Sequence, residues 1–306
     1  MKLLAVFLTL ASTQAPAPAP AAGVLVSLRA PVRVERSGSA APSPELGMRL
    51  MKGDVVVVGK GGSAMLYLAG GGIERIGAGA RFELTGSGGK QAPAAKLSSS
   101  MKAAESGLWV LNDPAGSILV AGMRGDKWDE QGAAAAPLSP RYETAVSRKP
   151  RFFASGVEGG ARIAVTAGKD AVWTSGKLTG TAPWSFDDFP ELEAGKVYRW
   201  RLESEDGSSL SEWVPFRVPS AADADANAAF EAEVATLDAS AADVLRCGRY
   251  LENSSWTALL GASTRLLAVQ PDSTVAKRAK ESAERGLRLA PEQAALLHGG
   301  RKLVGE

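Results

Sequence analysis

The sequence predicts a multidomain, mainly β protein that ends in an all-α region. Three observations carry this expectation. From Gly47 to Leu84, short apolar runs (Val55 to Val58, Met65 to Leu68, Ile73 to Ile76, Phe82 to Leu84) alternate with glycine-bearing bends, as in consecutive strands joined by tight turns. Between 140 and 219, alternate residues of Val197 to Leu202 and of Trp213 to Val218 are apolar or aromatic, which suits a two-sheet sandwich. From Ala221 onward glycine is sparse, alanine is dense, and apolar residues recur at intervals of three and four, as on a helix face.

A chain of 306 residues has room for about two or three domains, and a hydrophobic content of 45% supports real cores. With 35 Lys plus Arg against 33 Asp plus Glu, the net charge is +2, so no field gathers nucleic acid or an anionic membrane surface. A nucleic-acid partner is not expected.

Residues 1–22 read as a signal peptide followed by an Ala/Pro spacer. Met1-Lys2 gives a basic start, and the apolar run from Leu3 to Ala11 is too short for a stable membrane span. Candidate cleavage points lie between Ala15 and Gly23; the alternative is an uncleaved anchor. The Ala-Pro alternation from Ala15 to Ala22 suits an extended tether. The expected location is periplasmic or secreted, with no membrane span in the mature chain. Cys247 is the only cysteine, so neither a lipobox anchor nor an intramolecular disulfide is available.

The first β domain is expected over 23–124. Val24-Leu25-Val26 and Val32-Arg33-Val34 read as its leading strands, and Ser37 to Pro44 as a turn. After the organising stretch, Gly86 to Ser106 reads as a surface loop. Gly107 to Leu111 and Ser117 to Ala121 read as two arms of a hairpin around Asn112 to Gly116. The order Gly47-x-x-Leu50-x-x-Gly53-Asp54-x-Val56, Ser63-Ala64-x-Leu66-x-Leu68-x-x-Gly71, Ile76-Gly77-x-Gly79-x-x-Phe82-x-Leu84 resembles the FecR domain of bacterial envelope proteins. Gly70-Gly71 stands where that family usually has Asp-Gly. The resemblance implies a β-rich extracytoplasmic domain without known catalytic residues, some of whose relatives pass a signal across the inner membrane.

Residues 125–139 read as a linker holding Trp128. Over 140–219, Arg151 to Ala154, Ala161 to Val165, Val197 to Leu202 and Trp213 to Val218 read as strands. The run Leu192-x-x-Gly195-x-x-Tyr198-x-Trp200-x-Leu202 resembles the tyrosine corner of fibronectin type III-like domains, in which the tyrosine hydroxyl bonds the backbone of the turn. Over 221–306, helices are expected near Ala224 to Leu237, Ala241 to Leu251, Trp256 to Val269 and Ser273 to Leu289. Tyr250, Trp256 and Pro271 are spaced as in a tetratricopeptide repeat, so this region is tetratricopeptide-like. Cys247 and Arg246 depart from that pattern, and a stacked array needs about three units to be stable.

His298 is the single histidine, so neither a Ser/His/Asp triad, a Cys/His pair nor a His-based metal site can be assembled. Gly59-Lys60-Gly61-Gly62-Ser63 lacks the spacing of a phosphate loop and has no helix after it, so it reads as a turn. The acids Asp187, Asp188, Glu191 and Glu193, like Asp126, Asp129 and Glu130, lack calcium-loop spacing and read as solvated loops. Of the seven tryptophans, Trp200 and Trp213 alternate with apolar neighbours and belong in a core. Trp173 and Trp184 flank a loop and are the candidates for exposure.

The expectation is therefore an exported, non-enzymatic interaction or scaffold module of the bacterial cell envelope, without cofactor or metal. Its partners would be envelope proteins, and its ligand or partner surface would draw on Trp173, Trp184, Tyr250 and Trp256. The alternatives are a periplasmic signal-sensing component of FecR type, or a binder of glycan or peptidoglycan using Trp173 and Trp184. A further rival is a hydrolase that uses Asp187 and Asp188.

Overall fold

The computed structural model describes residues 21–36, 43–69, 72–85, 99–112, 135–157, 160–179, 182–289, 293 and 296–297. All four apolar runs of the organising stretch are strands. Strands β1 (Ala21–Arg29), β3 (Arg49–Met51), β5 (Ser63–Leu68) and β6 (Ile73–Ile76) form an antiparallel sheet in the order β3-β1-β5-β6. A second sheet has the order β2-β4-β7, from β2 (Val32–Glu35), β4 (Val55–Val58) and β7 (Arg81–Glu83). Consecutive strands β4 and β5 do not pair: the bend at 59–62 carries the chain from one sheet to the other. The chain also changes sheet between β1 and β2, at Pro31, and the two corners nest. Gly59 N–H donates to Pro31 O at 2.8 Å, and a Cβ on Gly59 would meet the Pro31 ring at 2.6 Å.

Leu25, Leu50, Val56, Val58, Leu66 and Leu84 fill the space between these sheets. The Gly53-Asp54 turn is locked by a buried carboxylate. Asp54 is 1% exposed, accepts from Met51 N at 2.8 Å, and takes both Nε and Nη2 of Arg36 at 2.8 and 2.6 Å. That bond and the nearby charge hold the Arg36 guanidinium pKa above its ordinary value. On the outer face of the first sheet Val24, Val26, Met65 and Tyr67 are also buried, against helices. Strands covered on both faces read as unbroken apolar runs, which explains Val24-Leu25-Val26.

The second β body holds a sheet of order β11-β10-β12-β13, made of β10 (Arg162–Ala167), β11 (Asp170–Thr174), β12 (Val197–Glu203) and β13 (Val214–Arg217). Beside it lies a two-stranded ribbon of β8 (Ala136–Ser139) and β9 (Phe153–Ser155). Residues 136–139 thus form a strand where the sequence reads as linker. Phe152, Ile163, Trp184, Tyr198, Trp200 and Phe216 share one core. The Tyr198 hydroxyl accepts from Glu193 N at 2.9 Å, and Trp200 Nε1 donates to Pro140 O at 2.6 Å.

Five helices complete the described structure: α1 (Ser99–Asn112), α2 (Ala221–Val234), α3 (Ala239–Glu252), α4 (Trp256–Val269) and α5 (Thr274–Leu287). The last four match the expected helices to within a few residues at their ends. Side-chain oxygens of Ser220, Asp238 and Ser273 cap α2, α3 and α5 by accepting from Asp223 N, Ala241 N and Ala276 N. Helix α1 replaces the loop expected at 99–106 and the strand expected at 107–111; residues 86–98 of the expected loop and the second arm expected at 117–121 lie outside the described residues. The physical reason is that Ala104, Leu108 and Leu111 fall on one helical face and are all buried. Gly107, which reads as strand punctuation, is instead the point where α1 and α3 cross at backbone contact with Gly248.

The helices pack on both β bodies. Leu108, Val244, Leu245 and Ala276 join Val24, Val26 and Tyr67 of the first sheet, and Leu138 and Phe153 of the ribbon, in one apolar cluster. No helix among the described residues is long and apolar enough to cross a membrane.

Candidate functional site

An α-helix leaves its first amides and last carbonyls without internal partners, and its dipole favours anions at the N-terminus and cations at the C-terminus. In this molecule side chains from distant elements fill several of these positions. Glu45 Oε2 accepts from Thr274 N at the start of α5 (3.1 Å); alongside, outside any helix, Gln270 Oε1 accepts from Leu46 N (2.9 Å). Arg278 of α5 donates to Leu111 O at the end of α1 (2.9 Å), and Arg141 Nε donates to Leu287 O at the end of α5 (3.0 Å).

The most elaborate of these joints is at α4. Its N-cap residue, Ser255, makes no side-chain capping bond, and Ser255 Oγ is buried with no hydrogen-bond partner among the described residues. The cap comes from Glu143, in the segment after β8. Glu143 Oε2 accepts from Thr257 N at 2.8 Å; Oε1 accepts from Thr257 Oγ1 at 2.7 Å, Ser139 Oγ at 3.0 Å and Arg141 N at 3.3 Å. Burial pushes the Glu143 carboxyl pKa above the usual range, while the donors from Thr257, Ser139 and Arg141 pull it down. Neighbouring bonds cross the joint in both directions: Thr144 N donates to Ser254 O at 3.0 Å, and Trp256 Nε1 to Tyr142 O at 3.1 Å.

Two hollows flank this segment. One, of ≈ 640 Å³, has walls of mixed charge that include Asp223, Arg217 and Glu252. The other, of ≈ 620 Å³, lies between the 145–153 stretch and α4. Its apolar walls include Val146, Phe153, Leu260 and Leu297, and Lys149, Arg151 and Arg265 stand around them. Val146 is 53% exposed, high for an aliphatic side chain beside a cleft. Lys149 and Arg151 are exposed and form no ion pair among the described residues. Arg265 is held by buried Asp243, with Nε to Oδ2 at 2.8 Å and Nη2 to Oδ1 at 2.5 Å. Among the described residues the one acid lining this cleft is Glu143, whose oxygens are occupied, so the walls offer apolar contact and positive charge.

Of the four residues expected to form a ligand or partner surface, Trp173 and Trp184 pack in or against the core of the second β body, and Tyr250 and Trp256 in or against the helical cluster. Trp173 packs on Phe186 and Phe189, with ring centroids 4.9 and 4.8 Å apart, and donates to Asp188 Oδ2 at 3.4 Å. Trp184 is buried, 9% exposed, and donates to Thr179 O at 3.2 Å. Trp256 is 7% exposed, its ring against Gly286. The Tyr250 hydroxyl donates to Glu231 Oε1 at 2.6 Å, within a chain of contacts that continues through Arg246 to Asp243 and Arg265. Burial pushes the Tyr250 pKa well up. Of the loop acids, Glu191 pairs with Arg148 (3.0 Å) and Glu193 with Lys196 (2.6 Å), while Asp187 and Asp188 are exposed. Trp128, Asp126, Asp129, Glu130 and His298 lie outside the described residues.

Glu143, Val146, Lys149, Arg151, Thr257 and Arg265 went unmarked in the sequence. A weak signal was present in Arg148-Lys149-Pro150-Arg151, a basic run interrupted by proline next to a strand. Compared with known proteins, the chain matches no family model, no curated protein and no solved structure.

Proposed function

We propose that this chain is an exported, non-enzymatic interaction module of the bacterial cell envelope, which docks a partner protein in the cleft between the 145–153 stretch and α4. The observation that carries this reading is the cleft itself, where exposed Val146 stands beside Lys149 and Arg151, which form no ion pair among the described residues. Export rests on the basic start and short apolar run of residues 1–11. The FecR-like, fibronectin type III-like and tetratricopeptide-like resemblances agree with an envelope protein built for binding. A glycan platform on Trp173 and Trp184 draws no support from Trp184, which is 9% exposed, while Trp173 is half-buried with its ring against Phe186 and Phe189.

The test is crosslinking in native envelopes with a photoreactive side chain at position 146, repeated in the Arg151→Glu background. A discrete protein adduct that disappears on Arg151→Glu, with the melting temperature unchanged, supports the docking reading. An adduct indifferent to the charge reversal, or none at all, overturns it.

A further inference from the structure

Resting on that reading of the cleft, we infer that the docked segment is an acidic peptide stretch of the partner, with carboxylates interleaved with an apolar side chain. The argument is charge complementarity around an apolar floor. Lys149 and Arg151 are exposed at the cleft, outside any ion pair among the described residues. Arg265 keeps half of its side chain exposed, 51%, while Asp243 holds it from behind. That arrangement fixes the direction of a guanidinium and leaves one edge for a second acceptor, a geometry suited to carboxylate. The only acid in the lining among the described residues, Glu143, has its oxygens filled by Thr257, Ser139 and Arg141 and is 6% exposed, so it offers a ligand no accessible anion to repel it. Between the cations, Val146, Pro150 and Leu260 supply a surface for an apolar residue. The hollow on the other side of the joint, with Asp223 and Glu252 in its walls, lacks this one-signed character.

The probe is a fluorescein-labelled synthetic peptide of alternating Glu and Leu, read by polarisation on the full mature chain, with the matching Lys/Leu peptide as control. The Glu peptide is expected to bind, to weaken as salt is raised, and to lose roughly tenfold in affinity with Lys149→Glu or Arg151→Glu, each a surface change that leaves the melting temperature in place. Equal binding of both peptides, no loss in either variant, or binding of neutral peptidoglycan fragments in place of the Glu peptide overturns the acidic-ligand inference. If the Glu peptide does not bind but the position-146 adduct persists and responds to Arg151→Glu, the docking reading stands and only this chemistry falls.

Discussion

Gly107 of α1 and Gly248 of α3 meet backbone to backbone. A Cβ on Gly107 would land on the Gly248 carbonyl, and one on Gly248 on the Ala104 carbonyl. Glycine inside a helix normally costs about 0.5–1 kcal/mol relative to alanine. Here the sign is reversed, because the close crossing is available only without side chains. Gly248→Ala is expected to destabilise the chain by about 2 kcal/mol, from overpacking against backbone that cannot step aside. Chemical denaturation checks this; a raised midpoint, as at an open helical glycine, would show that the helices do not cross here.

Glu143 at the start of α4 gives a pH signature. Its folded pKa is raised by burial, so the unfolded chain ionises this group at lower pH than the folded chain does. The contribution to stability is complete below the unfolded value of about 4.3 and is lost as pH rises through the raised folded value. Relative to Glu143→Gln, the native chain should therefore lose ground with rising pH, as measured by denaturation midpoints across that window. Glu143→Ala removes the acceptor altogether and leaves Thr257 N uncapped, at a cost of about 1–3 kcal/mol.

Cys247 is fully buried in α3, and desolvation first, then the nearby Asp243 charge, pushes its thiol pKa far up. The thiolate is the reactive form. A disulfide-exchange reagent added in excess should leave the folded chain unlabelled and react stoichiometrically once denaturant is present. Rapid labelling in native buffer would contradict the burial of this helix face.

Tyr198→Phe deletes the hydroxyl that accepts from Glu193 N and changes little else. The expected loss is about 1 kcal/mol, read from denaturation, with the far-ultraviolet spectrum preserved. No loss would mean that the turn holds without this bond.

A chain ending at Ser220 would remove α2 to α5 and bare Val24, Val26, Met65 and Tyr67 on the outer face of the first sheet. It is expected to aggregate or to lose its cooperative transition, by size exclusion and thermal melting. A well-behaved monomer would mean that the β bodies fold without the helices.

What could be read in the sequence was local. Runs such as Val55 to Val58 and the three-and-four spacing around Leu259 and Leu266 locate strands and helices because each pattern is written within about ten residues. Two kinds of fact were not local. Whether β4 pairs with β5 depends on which sheet each one joins, and Gly59 to Gly62 turns the chain in either case. The role of Glu143 depends on Thr257, 114 positions away, so no window of sequence sets them side by side. Helix α1 was missed for a third reason: glycine and a Leu-Trp-Val-Leu run look like a strand until a partner glycine on another helix supplies the reason for the gap.

The joint of Leu46 with Gln270 spans 224 positions, and that of Glu45 with Thr274 spans 229. A chain emerging N-terminus first makes its early strands long before the residues that will cover their outer face. Joining such distant points carries a loop-closure cost that must be met before the contacts repay it, which slows folding. Until α3 and α5 arrive, β1 and β5 wait as half-covered strands able to pair with the wrong neighbour. The completion of this protein therefore depends on keeping its first third out of trouble until its last third has been delivered.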